Sequence, residues 1–202
     1  MRHATSHLSR LTFALLAAIA PLAAQDATSL AGRPRGGAEL EGVDQRLVAR
    51  FPASVAIRID ALVDSAAAEG LPTEPLLLRA LEGGAKGVPA DRIHAALTRL
   101  QASLRRAKAI LGATTTPSDL TTAAAALQTG LEPTRLVELR NLRGSRSLTI
   151  PLGAYLDLVA QGAVSERAWL RVMELARRQV NDRDYERIDP ADLVARQPED
   201  RR

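Results

Sequence analysis

The segment DRIHAALTRLQASLRRAKAIL, from Asp91 to Leu111, has the clearest helical pattern in the chain. Its apolar residues recur at alternating steps of four and three, which is the a/d spacing of an amphipathic α-helix that buries one face. A coiled-coil dimer usually needs more heptads than this, so the pattern favours a central core helix packed antiparallel against its neighbours. The apolar positions of this seam are Ile93, Leu97, Leu100, Leu104, Ala107 and Leu111.

Four other segments share one turn pattern. In each, a glycine that can end a helix precedes an apolar residue, a proline or capping residue, and the start of a new helix. No stretch around them alternates over strand length, and β-branched residues are scarce while alanine and leucine dominate. The sequence therefore predicts an all-α domain of short helical hairpins joined by Gly-x-Pro turns, as an irregular bundle or a degenerate helical-repeat array. The four glycines are Gly70, Gly87, Gly130 and Gly162.

Residues 1–24 have the three-part pattern of a secretory signal peptide: a basic start, the apolar run 11–20, and small residues at Ala23 and Ala24. The apolar run is about half the roughly 20 residues that a spanning helix needs. A buried first helix is the alternative, but only Thr12 interrupts the run. We therefore expect cleavage after Ala24, an exported protein that is periplasmic or secreted, and no transmembrane anchor in the mature chain.

The composition sets the domain limits and excludes several classes of protein. Residues 25–45 combine glycine, proline and scattered charges without an apolar period, which predicts a disordered linker, and 196–202 predict a disordered tail. The all-α domain is expected over 46–195. The chain has no cysteine, which excludes disulfides, thiolate zinc sites, iron–sulfur clusters and cysteine nucleophiles. With 27 basic and 23 acidic residues, the net charge of +4 does not by itself indicate nucleic acid.

Few residues could carry catalysis or bind a metal. After the predicted cleavage His94 is the sole histidine, and no carboxylate pair has catalytic spacing. The acidic run 182–192 lacks the central glycine and the final acid of a calcium loop. A helix-turn-helix-like match over 126–136 places Glu132 and Pro133 where a recognition helix should begin. The sequence therefore predicts no enzyme, no metal, no cofactor and no DNA partner.

Binding a protein partner in the cell envelope or outside the cell is the function that we expect. Hot-spot residue types concentrate near the last glycine turn, although a core stripe explains Trp169 equally well. The alternative is an anion or polyanion binder that uses two arginine clusters, and an enzyme of unrecognised type is third. The expected partner-binding residues are Tyr155, Trp169, Arg171 and Met173. The alternative anion-binding residues are Arg92, Arg99 and Arg106 on the seam helix and Arg140, Arg143 and Arg146 around the 140–146 loop.

Overall fold

The computed structural model describes residues 40–193, apart from the side chain of Asp192, and this part of the chain is all-α as predicted. The predicted signal peptide, most of the predicted linker and the predicted tail lie outside the described residues. The helices are α1 (Gln45–Arg50), α2 (Ala53–Ala68), α3 (Glu74–Ala85), α4 (Ala90–Leu111), α5 (Pro117–Gln128), α6 (Pro133–Arg143), α7 (Thr149–Ala160), α8 (Ser165–Arg177), α9 (Asp182–Tyr185) and a final 3₁₀ helix (Pro190–Asp192).

The seam helix α4 is the centre of the N-terminal half, where it packs against α2, α3, α5 and α6. Its buried face departs from the predicted seam in the middle, because Gln101 is buried and Leu100 is only half-buried. The segment 65–69 at the end of α2 covers α4 on the side of Gln101, whereas Leu100 lines a surface depression. The Gln101 amide is satisfied there by donating to the Ser65 hydroxyl at 3.3 Å and to Glu69 Oε1 at 3.0 Å.

The packing of α2 on α4 is parallel. Arg58 near the start of α2 pairs with Asp91 at the start of α4, and Glu69 after the end of α2 pairs with Arg105. The antiparallel packing expected for every neighbour of the seam helix therefore fails for α2. The reason is that α3 lies between the two helices in the chain and turns it around twice.

The four glycine turns have one geometry. Each glycine has a positive φ, between 63° and 92°, which residues with a side chain rarely adopt. In each turn the N–H of the residue after the glycine donates to the carbonyl five residues earlier, as in Leu71 to Ala66 and Leu131 to Ala126. This is the Schellman bond, and it satisfies carbonyls at the end of each helix. The repeated sequence pattern thus corresponds to one repeated helix stop.

Helix α1 precedes the first helix that periodicity indicates. The Asp44 carboxylate caps it by accepting from the Arg46 N–H, and the Asp44 N–H donates to Asp60 on α2 at 3.1 Å. Val43 is buried. The described end of the predicted linker, residues 40–45, therefore packs on the domain. Within 40–193, no helix has the length and apolarity needed to cross a membrane.

Candidate functional site

The four expected partner-binding residues do not form a surface. Tyr155 on α7 and Trp169 on α8 are 2% and 3% exposed, and their rings meet edge to face with centroids 5.9 Å apart. Met173 is equally buried, and only Arg171 reaches solvent, where it pairs with Glu174 at 2.6 Å. The aromatic residues serve as core between α7 and α8, which is the alternative that the helical stripe of Trp169 left open.

Residues 140–146, expected as a loop, are the last turn of α6 and the turn after it, and their arginines are occupied by other parts of the chain. The Arg143 side chain is 2% exposed, donates to the Ser147 carbonyl and to Asp182 at 2.8 Å, and lies over the Tyr185 ring. Arg146 donates to the Val180 carbonyl at 3.1 Å and lies 3.5 Å from Asp182. These side chains attach the residues around α9 to the loop before α7. Their guanidinium groups are thus bound by groups of the chain itself.

Asp119 completes this internal network, and no sequence pattern pointed to it. Its Oδ1 accepts hydrogen bonds from the Ser147 hydroxyl, from the Leu148 N–H, and from both the N–H and the hydroxyl of Thr149, at 2.7–2.9 Å. Its Oδ2 lies 3.5 Å from Arg140. Burial alone would raise the pKa of Asp119, but these hydrogen bonds outweigh burial and hold the pKa below its ordinary value. Asp119 therefore acts as a remote N-terminal cap for α7.

The arginines of α4 are in the opposite situation. Arg92, Arg99 and Arg106 are exposed and have no hydrogen-bond or ion-pair partner, and among the described arginines only Arg183 shares this property. A spacing of seven residues places them on one side of the helix, about 10.5 Å apart. We call these three residues the α4 arginine row. Of the two clusters that the sequence offered, only this one has its charge available.

Two members of the row, Arg92 and Arg99, border a groove that runs over α4 between α3 and α5, named here the α3–α5 groove. It consists of two adjoining depressions, of about 140 and 490 Å³, which share Arg79 and Ala96. Arg92 lines the first depression, and Arg99 lines the second together with the half-buried Leu100. The charged lining is four basic side chains and one acid, which are Arg79, Lys86, Arg92, Arg99 and Glu82.

Glu82 neutralises part of this lining. It pairs with Lys86 at 2.5 Å and with Arg79 at 3.1 Å, and Lys86 lowers the pKa of Glu82. Arg92 and Arg99 have no acidic partner in the groove. Apolar side chains lie between the charges, namely Val88, Ile93, Ala96 and Leu100. The groove can therefore accept acidic groups at its rim and apolar groups on its floor.

The residues weighed for catalysis or metal binding are dispersed or have structural roles. His94 is half-exposed on α4, and Asp91 beside it pairs with Arg58. In the acidic run, Asp182 holds Arg143 and Asp184 completes the capping box of α9. In the part of the chain that the structure describes, no three His, Asp or Glu residues lie close enough together to hold a metal ion.

Comparisons of the chain with protein-family models, with curated protein sequences and with solved structures found no match. The α3–α5 groove is therefore interpreted from its own residues.

Proposed function

We propose that this is an exported, non-catalytic binding protein whose α3–α5 groove holds an acidic segment of a partner protein. The observation that carries the proposal is the α4 arginine row beside an apolar floor. Most arginines of the described domain are paired internally, whereas this row is unpaired along its whole length. Unpaired arginines available to solvent bind carboxylates through charge-assisted hydrogen bonds.

The spacing of the row favours an extended ligand over a small anion. Neighbouring arginines lie about 10.5 Å apart along the helix, so each can bind a separate acid of one extended ligand. A peptide in the polyproline II conformation advances about 3.1 Å per residue with three residues per turn, so acidic residues three apart lie on one side of it at about this interval. The apolar floor then receives the side chains between the acids.

The residues that line the groove favour a protein partner over a polyanion. No aromatic side chain lines the groove, so bases or sugar rings would have no stacking surface. A polyanion would bind by charge alone and would gain nothing from Leu100 or Val88. Binding of the two ligand classes should therefore differ in its dependence on salt and on apolar content.

The test is fluorescence anisotropy with a labelled peptide that repeats Glu-Ala-Leu. Replacing both groove arginines, as Arg92→Gln with Arg99→Gln, should raise its Kd about tenfold. The matched control is Arg183→Gln with Arg187→Gln, which removes the same charge from exposed sites near α9 and should change Kd less than about twofold. An equal loss of affinity for the peptide in the two double variants would contradict the proposal. Tight binding of a heparin oligosaccharide without binding of the peptide would assign the row to polyanions instead.

Export is the part of the proposal that rests on residues 1–24 alone. N-terminal sequencing of protein recovered from outside the cytoplasm should begin at Gln25. Recovered protein that begins at Met1 would remove export from the proposal and leave the groove unaffected.

A further inference from the structure

A second groove lies in the C-terminal half, between α7 and residues 185–188. Its volume is about 340 Å³, at the lower end of the range for ligand sites. Its apolar wall is formed by Ile150, Ala154, Leu158 and Ile188, and its two charged residues are Asp157 and Glu186. We call it the α7–α9 groove. It shares no residue with the α3–α5 groove.

The charges of this groove are uncompensated. Among the described acidic side chains, only five have no hydrogen-bond or ion-pair partner, and two of these five face the same groove. No lysine or arginine lines it, although basic residues outnumber acidic ones in the chain by 27 to 23. The five acids are Glu41, Asp64, Glu132, Asp157 and Glu186.

The position of Asp157 adds to the negative potential. It lies in the last turn of α7, where the helix dipole is negative and a carboxylate is disfavoured. Stability of the free domain therefore does not explain an unpaired acid at this position. An incoming cation would interact favourably both with the carboxylate and with the end of the helix.

Tyr185 forms part of the same wall. It is 2% exposed, and its buried hydroxyl has no hydrogen-bond partner of normal geometry. Burial raises the pKa of Tyr185, and the nearby Arg143 guanidinium partly offsets that rise. The lining therefore adds no positive charge next to the two carboxylates.

From these observations we infer that the α7–α9 groove binds a basic segment of a partner protein, with a lysine or arginine at the carboxylates and an apolar neighbour against Ile150 and Leu158. The occupant follows from charge complementarity, since the groove offers two free acids and no base. Its volume admits one or two side chains. The domain would then connect two partner segments of opposite charge through separate grooves.

The experiment is anisotropy with the full mature chain and a labelled peptide that repeats Lys-Ala-Leu. Asp157→Asn with Glu186→Gln should raise Kd about fivefold to tenfold, because both charge-assisted contacts are lost. The matched control, Glu41→Gln with Asp64→Asn, removes two unpaired acids elsewhere and should change Kd less than about twofold. Asp157→Asn should not lower the stability of the domain, because it removes an unfavourable interaction between the carboxylate and the helix dipole.

A peptide that repeats Lys-Ser-Ser measures the contribution of the apolar wall, and it should bind at least about fivefold more weakly than the Lys-Ala-Leu peptide. Equal affinity for the two peptides would overturn the inference, as would an unchanged Kd in the groove variant. Concentration-dependent self-association that the groove variant abolishes would also overturn it, because the occupant would then be a second copy of the chain. None of these results depends on the α3–α5 groove, so the two sites can fail separately.

Discussion

The α4 arginine row and the arginines of the 140–146 loop have the same composition and opposite roles. In each, three arginines recur within a short segment of one chain. In the loop, acids from distant segments reach the guanidiniums: Asp119 lies 3.5 Å from Arg140, and Asp182 lies 2.8 Å from Arg143. On α4 no acid reaches Arg92, Arg99 or Arg106. The same side chain thus stabilises the fold in one place and is available for binding in the other.

Arginine density alone therefore does not indicate an anion site. What decides is whether an acid from elsewhere in the chain satisfies the guanidinium in the folded state. A buried charge without such a partner is strongly destabilising, whereas an exposed one stays solvated at little cost. The buried guanidinium of Arg143 is therefore stabilised by Asp182, whereas the exposed guanidinium of Arg99 is solvated by water in the free protein. This contrast can be tested by removing members of each cluster.

The largest effect is expected at Asp119. Asp119→Ala removes the acceptor of two backbone N–H groups and two hydroxyls and leaves Arg140 without its acid. We expect the free energy of unfolding to fall by about 3 to 5 kcal/mol. Urea denaturation checks this, with Asp64→Asn as the control, since Asp64 is exposed and unpaired. A loss below about 1 kcal/mol would mean that the internal network is not what holds the loop.

The pH dependence provides a second measure of the same residue. Because the pKa of Asp119 is lowered by folding, its contribution is fully present above the unfolded pKa of about 3.9 and is lost as pH falls through the lower folded value. The stability gap between the wild type and Asp119→Asn should therefore be constant from pH 7 to about pH 5 and should narrow below about pH 4. A gap that widened on acidification would contradict the assigned direction.

A smaller effect is expected at Arg143. Arg143→Met keeps the buried alkyl chain but removes the bonds to Ser147 and Asp182. Asp182 is half-exposed and stays solvated, so the loss should be about 2 to 3 kcal/mol, less than at Asp119. Faster proteolysis within residues 180–193 should accompany it, because the Arg143–Asp182 bond attaches that segment. Unfolding without local loosening would show that Arg143 supports the core as a whole.

The fold was predictable because its signals are local. Helix periodicity and the glycine stops act within a few residues, and both correspond to observed helices and Schellman turns. Helix α1 was not predicted, because six residues are too few to show a period. Within α4, the burial of Gln101 instead of Leu100 was not predictable, because the partners of the Gln101 amide, Ser65 on α2 and Glu69 just after it, lie more than 30 residues away in the chain.

The site was predictable only in part, because its decisive interactions are remote. Residue type marked Tyr155 and Trp169 as hot spots, but large aromatic residues have the same chemistry in a core. Asp119 stands in Thr116-Pro117-Ser118-Asp119, a context that favours capping of its own helix α5, and it binds the start of α7 instead. The sequence indicated both arginine clusters equally, and only the folded chain distinguishes paired from unpaired arginines.

The smallest effect on stability is expected in the α4 arginine row. Arg99→Met keeps the alkyl chain that covers the groove and removes a guanidinium that has no partner in the domain. The free energy of unfolding should change by less than about 0.5 kcal/mol, as for exposed residues outside special sites. Affinity for the Glu-Ala-Leu peptide should fall in the same variant. Arg99→Met should therefore lower peptide affinity and leave stability nearly unchanged, whereas Arg143→Met should lower stability and leave peptide affinity nearly unchanged. Parallel urea denaturation and anisotropy of the two methionine variants measure this, and a loss of stability at Arg99 comparable to that at Arg143 would show that the row, too, supports the fold.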